Sequence, residues 1–332
     1  MLGVEFMSAK PMFEGRGLTV SFGRPSMLNR LRGHAPVLGL RAVDITVHAG
    51  ETLGLVGESG SGKSTLARAL LRINRLSSGA LLFQGKEITT LEGASLRLLR
   101  RRLQMIFQDP FGSLNPRMSV GRAIAEPLVV HQLARGHELD EQVAASLEMV
   151  GLPARFATRM PHEFSGGQRQ RICIARALCC RPEFIACDEV LSALDISLQG
   201  QMLELLAQLK ARLGLTYLFI SHDLRVVKRI SDRVAVMYLG RIVELAPTAQ
   251  LYARPAHPYT AALLAAVPTP DPVAERSRRF VALPGELPSP AHPPPGCAFH
   301  ERCPKASARC RSEPPPLAQI AAGHQVACFH PN

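Results

Sequence analysis

The chain of 332 residues has no tryptophan, only 5% aromatic residues, and no uninterrupted apolar run that approaches the roughly 20 residues of a membrane-spanning helix. Its first residues, MLGVEFMSAK, lack the apolar core of a secretory signal peptide. With 46% apolar and 20% charged residues, the composition is otherwise that of a globular protein. We therefore expect a soluble, intracellular protein, in which thiols stay reduced and the eight cysteines do not imply four disulfides.

Acidic residues are outnumbered, with 27 Asp and Glu against 39 Lys and Arg, which gives a formal net charge of +12. This excess indicates an anionic partner: a nucleotide, a nucleic acid or an acidic membrane surface. Basic charge alone does not choose among the three.

Residues 1 to about 245 alternate strand-like and helical patterns, which predicts an α/β fold. ETLGLVG (51–57) reads as a buried strand and KSTLARALLRI (63–73) as the helix that follows it. Further strands are predicted over 102–108, 183–189, 216–223 and 233–244.

Helical periodicity dominates about 112–180 and predicts a helical subdomain inserted into a larger domain that covers 1–250. The last 82 residues hold 16 of the 26 prolines, so 251–332 is predicted to be a separate, loop-rich module.

GESGSGKST fits the phosphate-loop pattern G-x-x-x-x-G-K-[ST] between a predicted strand and a predicted helix. Its glycines allow backbone N–H groups to close around phosphate oxygens, Lys63 can reach the β- and γ-phosphates, and Ser64 can ligate Mg²⁺. A chance Gly/Ser loop is the alternative, which the flanking elements disfavour. The predicted ATP-binding residues here are Gly57, Glu58, Ser59, Gly60, Ser61, Gly62, Lys63, Ser64 and Thr65.

FIACDE is a buried strand that ends in two carboxylates, Asp188 and Glu189. Downstream of a phosphate loop, an Asp at a strand end suits Mg²⁺ coordination, and the next carboxylate can polarise an attacking water. Alone, such a pair is usually a strand entering a polar loop.

Further short motifs follow in a fixed order: Gln108 lies in FQDP, FSGGQRQR covers 164–171, SALD covers 192–195, and His222 lies in ISHDL. In this order they resemble the Q-loop, signature, D-loop and switch motifs of ABC-type ATPases. Phe22 in LTVSFG is the candidate to stack on adenine, although an aromatic in a strand is often only core.

The resemblance implies a RecA-like core with an antiparallel β-subdomain and an inserted helical subdomain. It implies catalytic roles for Glu189, His222 and Gln108, and Mg²⁺ ligation by Ser64, Gln108 and Asp188. The residues implied to contact the ATP of a partner subunit are Ser165, Gly166, Gly167, Gln168 and Asp195. Two departures from the family pattern are Phe164, where leucine is usual, and Val190-Leu191, where a proline commonly follows the glutamate.

The segments HPYTAALLAAVP (257–268), LPGELPSPAHPPPGCAFHERCPKA (283–306) and HQVACF (324–329) resemble the C-terminal extension of dipeptide, oligopeptide and nickel importer ATPases. The resemblance implies an ATP-hydrolysing importer motor at the cytoplasmic face of the membrane. Its partners would be a second ATPase subunit, identical or paralogous, two permeases and an extracytoplasmic binding protein. The nature of the cargo and that of the second ATPase stay open.

Cys297, Cys303, Cys310 and Cys328 lie in this tail, where apolar residues are too few to suggest a self-sufficient core. Four thiolates suit zinc or an iron–sulfur cluster. The wide spacing, with a proline directly after Cys303, favours a [4Fe–4S] cluster over zinc or free thiols. Reserve ligands would be His292, His300, His324 and His330. The remaining cysteines, at 173, 179, 180 and 187, are expected to be small buried hydrophobes.

A second function remains open: a nucleic-acid-associated ABC ATPase with a zinc-binding tail. The net charge and the cysteines motivate it, but the spacing C-x5-C-x6-C-x17-C is poor for a zinc finger.

Overall fold

A computed structural model describes residues 10–23, 37–267, 285 and 288–332. The first nine residues and part of the segment 283–306, which was compared with importer ATPases above, lie outside these ranges. The chain forms two compact units, Met1–Thr89 with His222–Asn332 and, separately, Thr90–Ser221. The α/β class is confirmed. Within the described ranges, no helix combines the length and apolar character needed to cross a membrane.

Strands are numbered in chain order: β1 Pro11–Phe22, β2 Val37–His48, β3 Thr52–Val56, β4 Ser78–Phe83, β5 Lys86–Glu87, β6 Leu103–Ile106, β7 Phe184–Asp188, β8 Thr216–Ile220, β9 Arg233–Tyr238, β10 Arg241–Pro247, β11 Ala318–Ala321 and β12 His324–Val326. The α-helices are α1 Lys63–Leu70, α2 Gly93–Arg102, α3 Pro110–Ser113, α4 Val120–Val130, α5 His137–Met149, α6 Gly166–Leu178, α7 Ile196–Leu213, α8 Leu224–Ile230, α9 Thr248–Ala253, α10 Pro258–Ala265 and α11 Ala308–Ser312.

In the first unit, β1, β2, β4 and β5 form an antiparallel sheet in the order β2-β1-β4-β5. Alternate positions of β1 are buried on either side of a register shift, Phe13 and Gly15 before it and Leu18 and Val20 after it, and the Phe13 ring lies 5.0 Å from that of Phe83 on β4. This period-two burial is what a half-buried strand requires. The sheet is the antiparallel β-subdomain that the family resemblance implies.

The same unit holds a second set of strands, in the order β11-β12-β10-β9-β3. β3 runs parallel to β9, and both are enclosed, which explains their nearly continuous apolar sequence. The prediction of one strand over 233–244 is wrong. Leu239 (φ 43°) and Gly240 (φ 78°) form a tight turn that splits the run into the antiparallel pair β9 and β10.

The C-terminal segment packs onto this set of strands. β12 pairs with β10, with Val326 opposite Glu244. Tyr238, Tyr259 and Phe299 form an aromatic cluster in which ring centroids lie 4.8 to 5.4 Å apart, and all three side chains are buried. Large apolar contacts with the preceding strands therefore anchor the tail, so it does not depend on a core of its own. The boundary predicted at residue 250 stays a prediction.

In the second unit, β6, β7 and β8 are parallel and adjacent in the order β8-β7-β6. Helices α3 to α6 lie between β6 and β7 in the chain, within the stretch predicted to be helical. α5 ends at Met149, and Gly151 follows with φ 74°, the left-handed conformation that commonly terminates a helix.

Candidate nucleotide-binding site

The phosphate loop connects β3 to α1 and requires glycine at two close approaches. A Cβ added at Gly57 (φ 148°) would lie 2.2 Å from the carbonyl oxygen of Met237. One added at Gly62 (φ 105°) would lie 2.6 Å from the carbonyl oxygen of Gly39. The β9–β10 turn supports the loop, since Gly240 N–H donates to the Ser61 carbonyl at 2.8 Å. The sequence thus folds into a fixed cradle whose backbone no larger residue could follow.

Two side chains in this cradle fit a nucleotide phosphate. Lys63 Nζ donates to the carbonyls of Gly57 at 2.8 Å and Glu58 at 3.0 Å, so the ammonium lies within the loop. Ser61 Oγ is enclosed and has no hydrogen-bond partner among the described residues. A buried cation and a buried hydroxyl in a glycine-bounded loop suit phosphate oxygens, and Ser64 and Thr65 follow in the first turn of α1.

Phe22 lies beside this loop. Phe22 is 46% exposed, so it is one of the large apolar residues that the protein does not bury. A Cβ added at Gly39 would lie 2.5 Å from Phe22 Cε2 and 3.0 Å from Thr65 Cγ2. The ring therefore lies close to Gly39 and to Thr65 at the start of α1.

In the second unit, strand register brings two predicted residues together. Ile106 pairs with Cys187, so the residues that follow β6 and β7 leave the sheet side by side. Gln108 Nε2 donates to Glu189 Oε2 at 3.0 Å. Asp188 is buried at the end of β7.

The backbone of Glu189 adopts φ 49°, in the left-handed region that few non-glycine residues occupy. Such a conformation costs about 1 to 3 kcal/mol and is concentrated at functional sites. The Glu189 N–H donates to the Ile220 carbonyl at 3.0 Å, which holds the strained residue against β8.

The signature residues form the N-terminus of α6. Ser165 Oγ accepts from Gln168 N at 3.3 Å and Gln168 Oε1 accepts from Ser165 N at 3.1 Å, which is a complete capping box. Gly166 and Gly167 occupy the first turn, so the helix N-terminus carries no bulky side chain there. This arrangement can accept an anion.

Asp195 caps the next helix, α7, in the same unit. Its carboxylate accepts from Leu198 N at 2.9 Å and from Ser197 Oγ at 3.0 Å, and the Leu198 N–H is the main cause that lowers the pKa of Asp195. An added Cβ at Gly167 would lie 3.3 Å from Leu198 Cδ1, so the signature and D-loop segments are neighbours.

The predicted residues thus divide between the units. The first unit holds Phe22, the phosphate loop and His222, whose side chain is exposed just after β8. The second holds Gln108, Asp188, Glu189, the signature residues and Asp195.

The prediction of an iron–sulfur cluster in the tail is wrong. Among the described residues, no group of three or more His, Cys, Asp or Glu side chains could hold a metal ion, and this finding applies equally to the zinc alternative. All eight cysteines are free thiols. The four tail cysteines do line one small cavity: Cys297, Cys303, Cys310 and Cys328.

The tail has other contacts that anchor it. Burial raises the pKa of Cys297 to about 11 and raises the pKa values of Cys303 and Cys328, so these thiols are protonated in the folded protein. The aromatic cluster and the β10–β12 pairing supply the anchoring that a metal was expected to supply. The cysteines at 173, 179, 180 and 187 are buried, as expected.

Sequence reasoning missed two residues at the phosphate loop, Tyr259 and Arg302, which contact Glu58. They lie 201 and 244 positions further along the chain, and no motif spacing connects them to the loop.

A phosphate loop, a capped signature helix and a strained glutamate beside a glutamine define an ATP-binding cassette. The ABC transporter family profile matches residues 40–192, and the profile of the oligopeptide/dipeptide transporter C-terminal region matches 243–310.

Relatives match most of the chain. AppF of Bacillus subtilis, an oligopeptide transport ATP-binding protein, is 50% identical over 293 residues, which are 88% of this chain and 89% of AppF. A Brucella ovis protein, provisionally named a peptide import ATP-binding protein, is 48% identical over 326 residues, 98% of this chain and 100% of the relative.

Solved structures of ATP-binding cassettes have a similar fold. One of them, a dimeric cassette in a post-hydrolysis state with ADP and Pi, matches with a TM-score of 0.62 at 26% sequence identity. The match covers 71% of this chain and 99% of the chain in that structure. The chain belongs to the ABC transporter family of ATP-binding proteins, in the branch that carries the oligopeptide/dipeptide transporter C-terminal region. It is an ATPase, and these relatives do not favour the nucleic-acid-associated alternative.

Proposed function

We propose that this ATPase is the motor subunit of an importer that moves dipeptides, oligopeptides or a related small solute. The observation that carries the proposal is the match of 243–310 to the oligopeptide/dipeptide transporter C-terminal region on a chain that also contains an ABC cassette. The names of the relatives, which refer to peptide transport or import, support the same cargo class.

The phosphate loop would bind the ATP phosphates through its backbone N–H groups and Lys63, and Phe22 would stack on the adenine. Ser64, Asp188 and Gln108 would hold Mg²⁺, since a hydroxyl, a carboxylate and an amide oxygen are the hard ligands this ion prefers. When bound, Mg²⁺ neutralises charge on the β- and γ-phosphates.

Glu189 would act on the attacking water. Its hydrogen bond from Gln108 at 3.0 Å fixes one carboxylate oxygen, and its strained φ of 49° fixes the backbone. A fixed carboxylate can orient a water and take its proton. His222 would contact the γ-phosphate.

A second cassette, identical or paralogous, would complete each site. Ser165, Gly166, Gly167 and Gln168 would present the N-terminus of α6 to the ATP of that partner, with Asp195 beside them. The dimeric form of the similar solved cassette supports this arrangement.

The remaining partners would be two permease subunits, which hold the ATPase at the cytoplasmic face of the membrane, and an extracytoplasmic binding protein that selects cargo. No residue of this chain is assigned to cargo.

The test is Glu189→Gln in the assembled transporter. Turnover of ATP should fall at least about 100-fold, because the base is lost, while ATP affinity changes by less than about threefold. ATP hydrolysis, ATP binding and uptake of a labelled dipeptide in proteoliposomes would be measured together.

The matched control is Glu204→Gln, which makes the same chemical change on the exposed face of α7, where Glu204 accepts from Gln208. Parental turnover in Glu189→Gln would refute the catalytic role. Full ATPase activity without uptake of any peptide would refute the cargo class.

A further inference from the structure

Glu58, the second residue of the phosphate loop, is held by two residues from the C-terminal part of the chain. Its backbone N–H donates to Tyr259 Oη at 2.9 Å. Its carboxylate accepts two hydrogen bonds from Arg302, Nη1 to Oε2 at 2.8 Å and Nη2 to Oε1 at 3.0 Å. All three residues belong to the first unit.

The Arg302–Glu58 pair has the geometry of a strong ion pair. It is bidentate, and the Arg302 side chain is only 6% exposed. The Glu58 carboxylate is the main cause that raises the pKa of Arg302, so the guanidinium is charged at every physiological pH. A bidentate guanidinium fixes the orientation of a carboxylate as well as its position.

Arg302 is itself fixed by the aromatic cluster. Its guanidinium carbon lies 6.0 Å from the centre of the Tyr238 ring, and Nη1 donates to Tyr238 Oη at 3.4 Å. Phe299, three residues earlier, packs edge-on against Tyr238. Arg302 therefore has little freedom to follow Glu58 if the loop moves.

Glu58 in turn holds the lysine of the loop, because its carbonyl accepts from Lys63 Nζ at 3.0 Å and from Ser61 N at 3.2 Å. Displacing Glu58 would displace the acceptor that positions the lysine and the turn that carries Ser61. A loop that spends only part of its time in the binding-competent shape binds ATP more weakly in proportion.

We propose that Arg302 and Tyr259 are positioning residues that hold the phosphate loop through Glu58 in its ATP-binding shape. Nucleotide affinity is thus set partly from within the C-terminal region matched at 243–310, outside the cassette matched at 40–192. This inference rests on the proposed role of the phosphate loop in binding ATP.

The test measures the Kd of a fluorescent ATP analogue with Mg²⁺ on the 332-residue chain. Arg302→Gln should weaken binding about tenfold, as expected if the competent loop falls to about a tenth of the population. Arg302→Lys should lie between it and the parent, because a lysine keeps the charge but not the two parallel bonds. Tyr259→Phe, which removes a single hydroxyl, should weaken binding about threefold.

Two readouts separate positioning from general stability. In the assembled ATPase, Arg302→Gln should raise the KM for ATP and leave kcat at saturation near the parental value, whereas partial unfolding lowers kcat at an unchanged KM. Combining Arg302→Gln with Glu58→Gln should weaken binding no more than either single change, because both remove the same pair.

The control variant is Arg309→Gln. Arg309 lies in the same region but pairs with Glu313 at the surface, with 63% of its side chain exposed, and ATP affinity should stay within about twofold of the parent. Parental affinity in both Arg302→Gln and Tyr259→Phe would overturn the proposal, whatever happens to their melting temperatures.

Lys63→Ala, measured in parallel, distinguishes a failure of the positioning role of Arg302 from a failure of the proposed nucleotide site. If Lys63→Ala weakens ATP binding and Arg302→Gln does not, positioning from the tail is wrong and the proposed nucleotide site stands. If Lys63→Ala has no effect, the proposed site itself fails.

Discussion

His257 is a titratable side chain enclosed within the protein, with 1% of its surface exposed. Its Nδ1 accepts from Tyr259 N at 3.0 Å, which requires that ring nitrogen to be unprotonated, and the backbone N–H of His257 donates to Glu244 Oε2 at 2.8 Å. Burial lowers the pKa of His257 to about 4. The folded protein therefore binds a proton at this site less readily than the unfolded chain does.

This shift predicts a loss of stability in acid. Because the folded-state pKa lies below the ordinary value of 6.5, the stabilisation is fully present above about pH 6.5 and is lost as the pH falls towards 4. The free energy of unfolding should fall by up to about 3 kcal/mol across this range. Urea unfolding at several pH values would measure it.

His257→Asn is the matched variant, since an amide oxygen can accept from Tyr259 N without titrating. Its free energy of unfolding should depend on pH less steeply than that of the parent. Identical pH dependences would show that His257 does not carry the effect.

Residues in local motifs can be singled out from the sequence alone. Gln108 and Glu189 are 81 positions apart, yet each lies in a recognisable motif, and the structure brings the two side chains within 3.0 Å. Arg302 could not be assigned in this way, because an arginine in a Pro-rich segment carries no sign of a carboxylate 244 positions earlier.

At the scale of elements, the phosphate loop depends on a contact with β9. The position of Gly57 is closed by the Met237 carbonyl, 2.2 Å from where a Cβ would lie. Gly50, in the turn between β2 and β3, also has positive φ (75°), but a Cβ there would meet nothing within 4 Å. Both glycines thus have a positive φ, which an L-residue rarely adopts, and they differ in the space around them.

Gly57→Ala should therefore weaken ATP binding by at least about tenfold, because the loop or the β9 carbonyl must move. Gly50→Ala should lower stability by only about 1 to 2 kcal/mol, the cost of a left-handed non-glycine residue, and leave ATP affinity unchanged. ATP titration and thermal unfolding of both variants would check this. Equal ATP affinities would contradict a loop fixed by steric contact.

Strands β3, β7 and β8 lie within the predicted ranges, since continuous apolar runs between polar residues mark strands enclosed on both faces. The β9–β10 hairpin was missed because Leu239, the first residue of its turn, is itself apolar, so only Gly240 and Arg241 interrupt the apolar run. The tail was misjudged because its apolar partners, such as Tyr238, belong to strands far away in the sequence.

At the scale of the whole molecule, the net charge of +12 raises the question of whether the protein binds anionic membranes directly. We expect attachment through permeases, so the chain should sediment with membranes only when permeases are co-expressed. Sedimentation at about 0.15 M and about 0.5 M salt would test this, since salt screens direct attraction to anionic lipid. Equal binding to permease-free vesicles that contain anionic lipid would contradict it.

The first unit is assembled from both ends of the chain, 1–89 and 222–332, and the Arg302–Glu58 pair spans 244 positions. A ribosome that adds roughly 5 to 20 residues per second completes residue 302 on the order of ten to fifty seconds after residue 58. Throughout that interval the phosphate loop has no guanidinium from Arg302 to hold it. The proposed positioning therefore predicts that a nascent chain binds ATP with its full affinity only after residue 302 has been added.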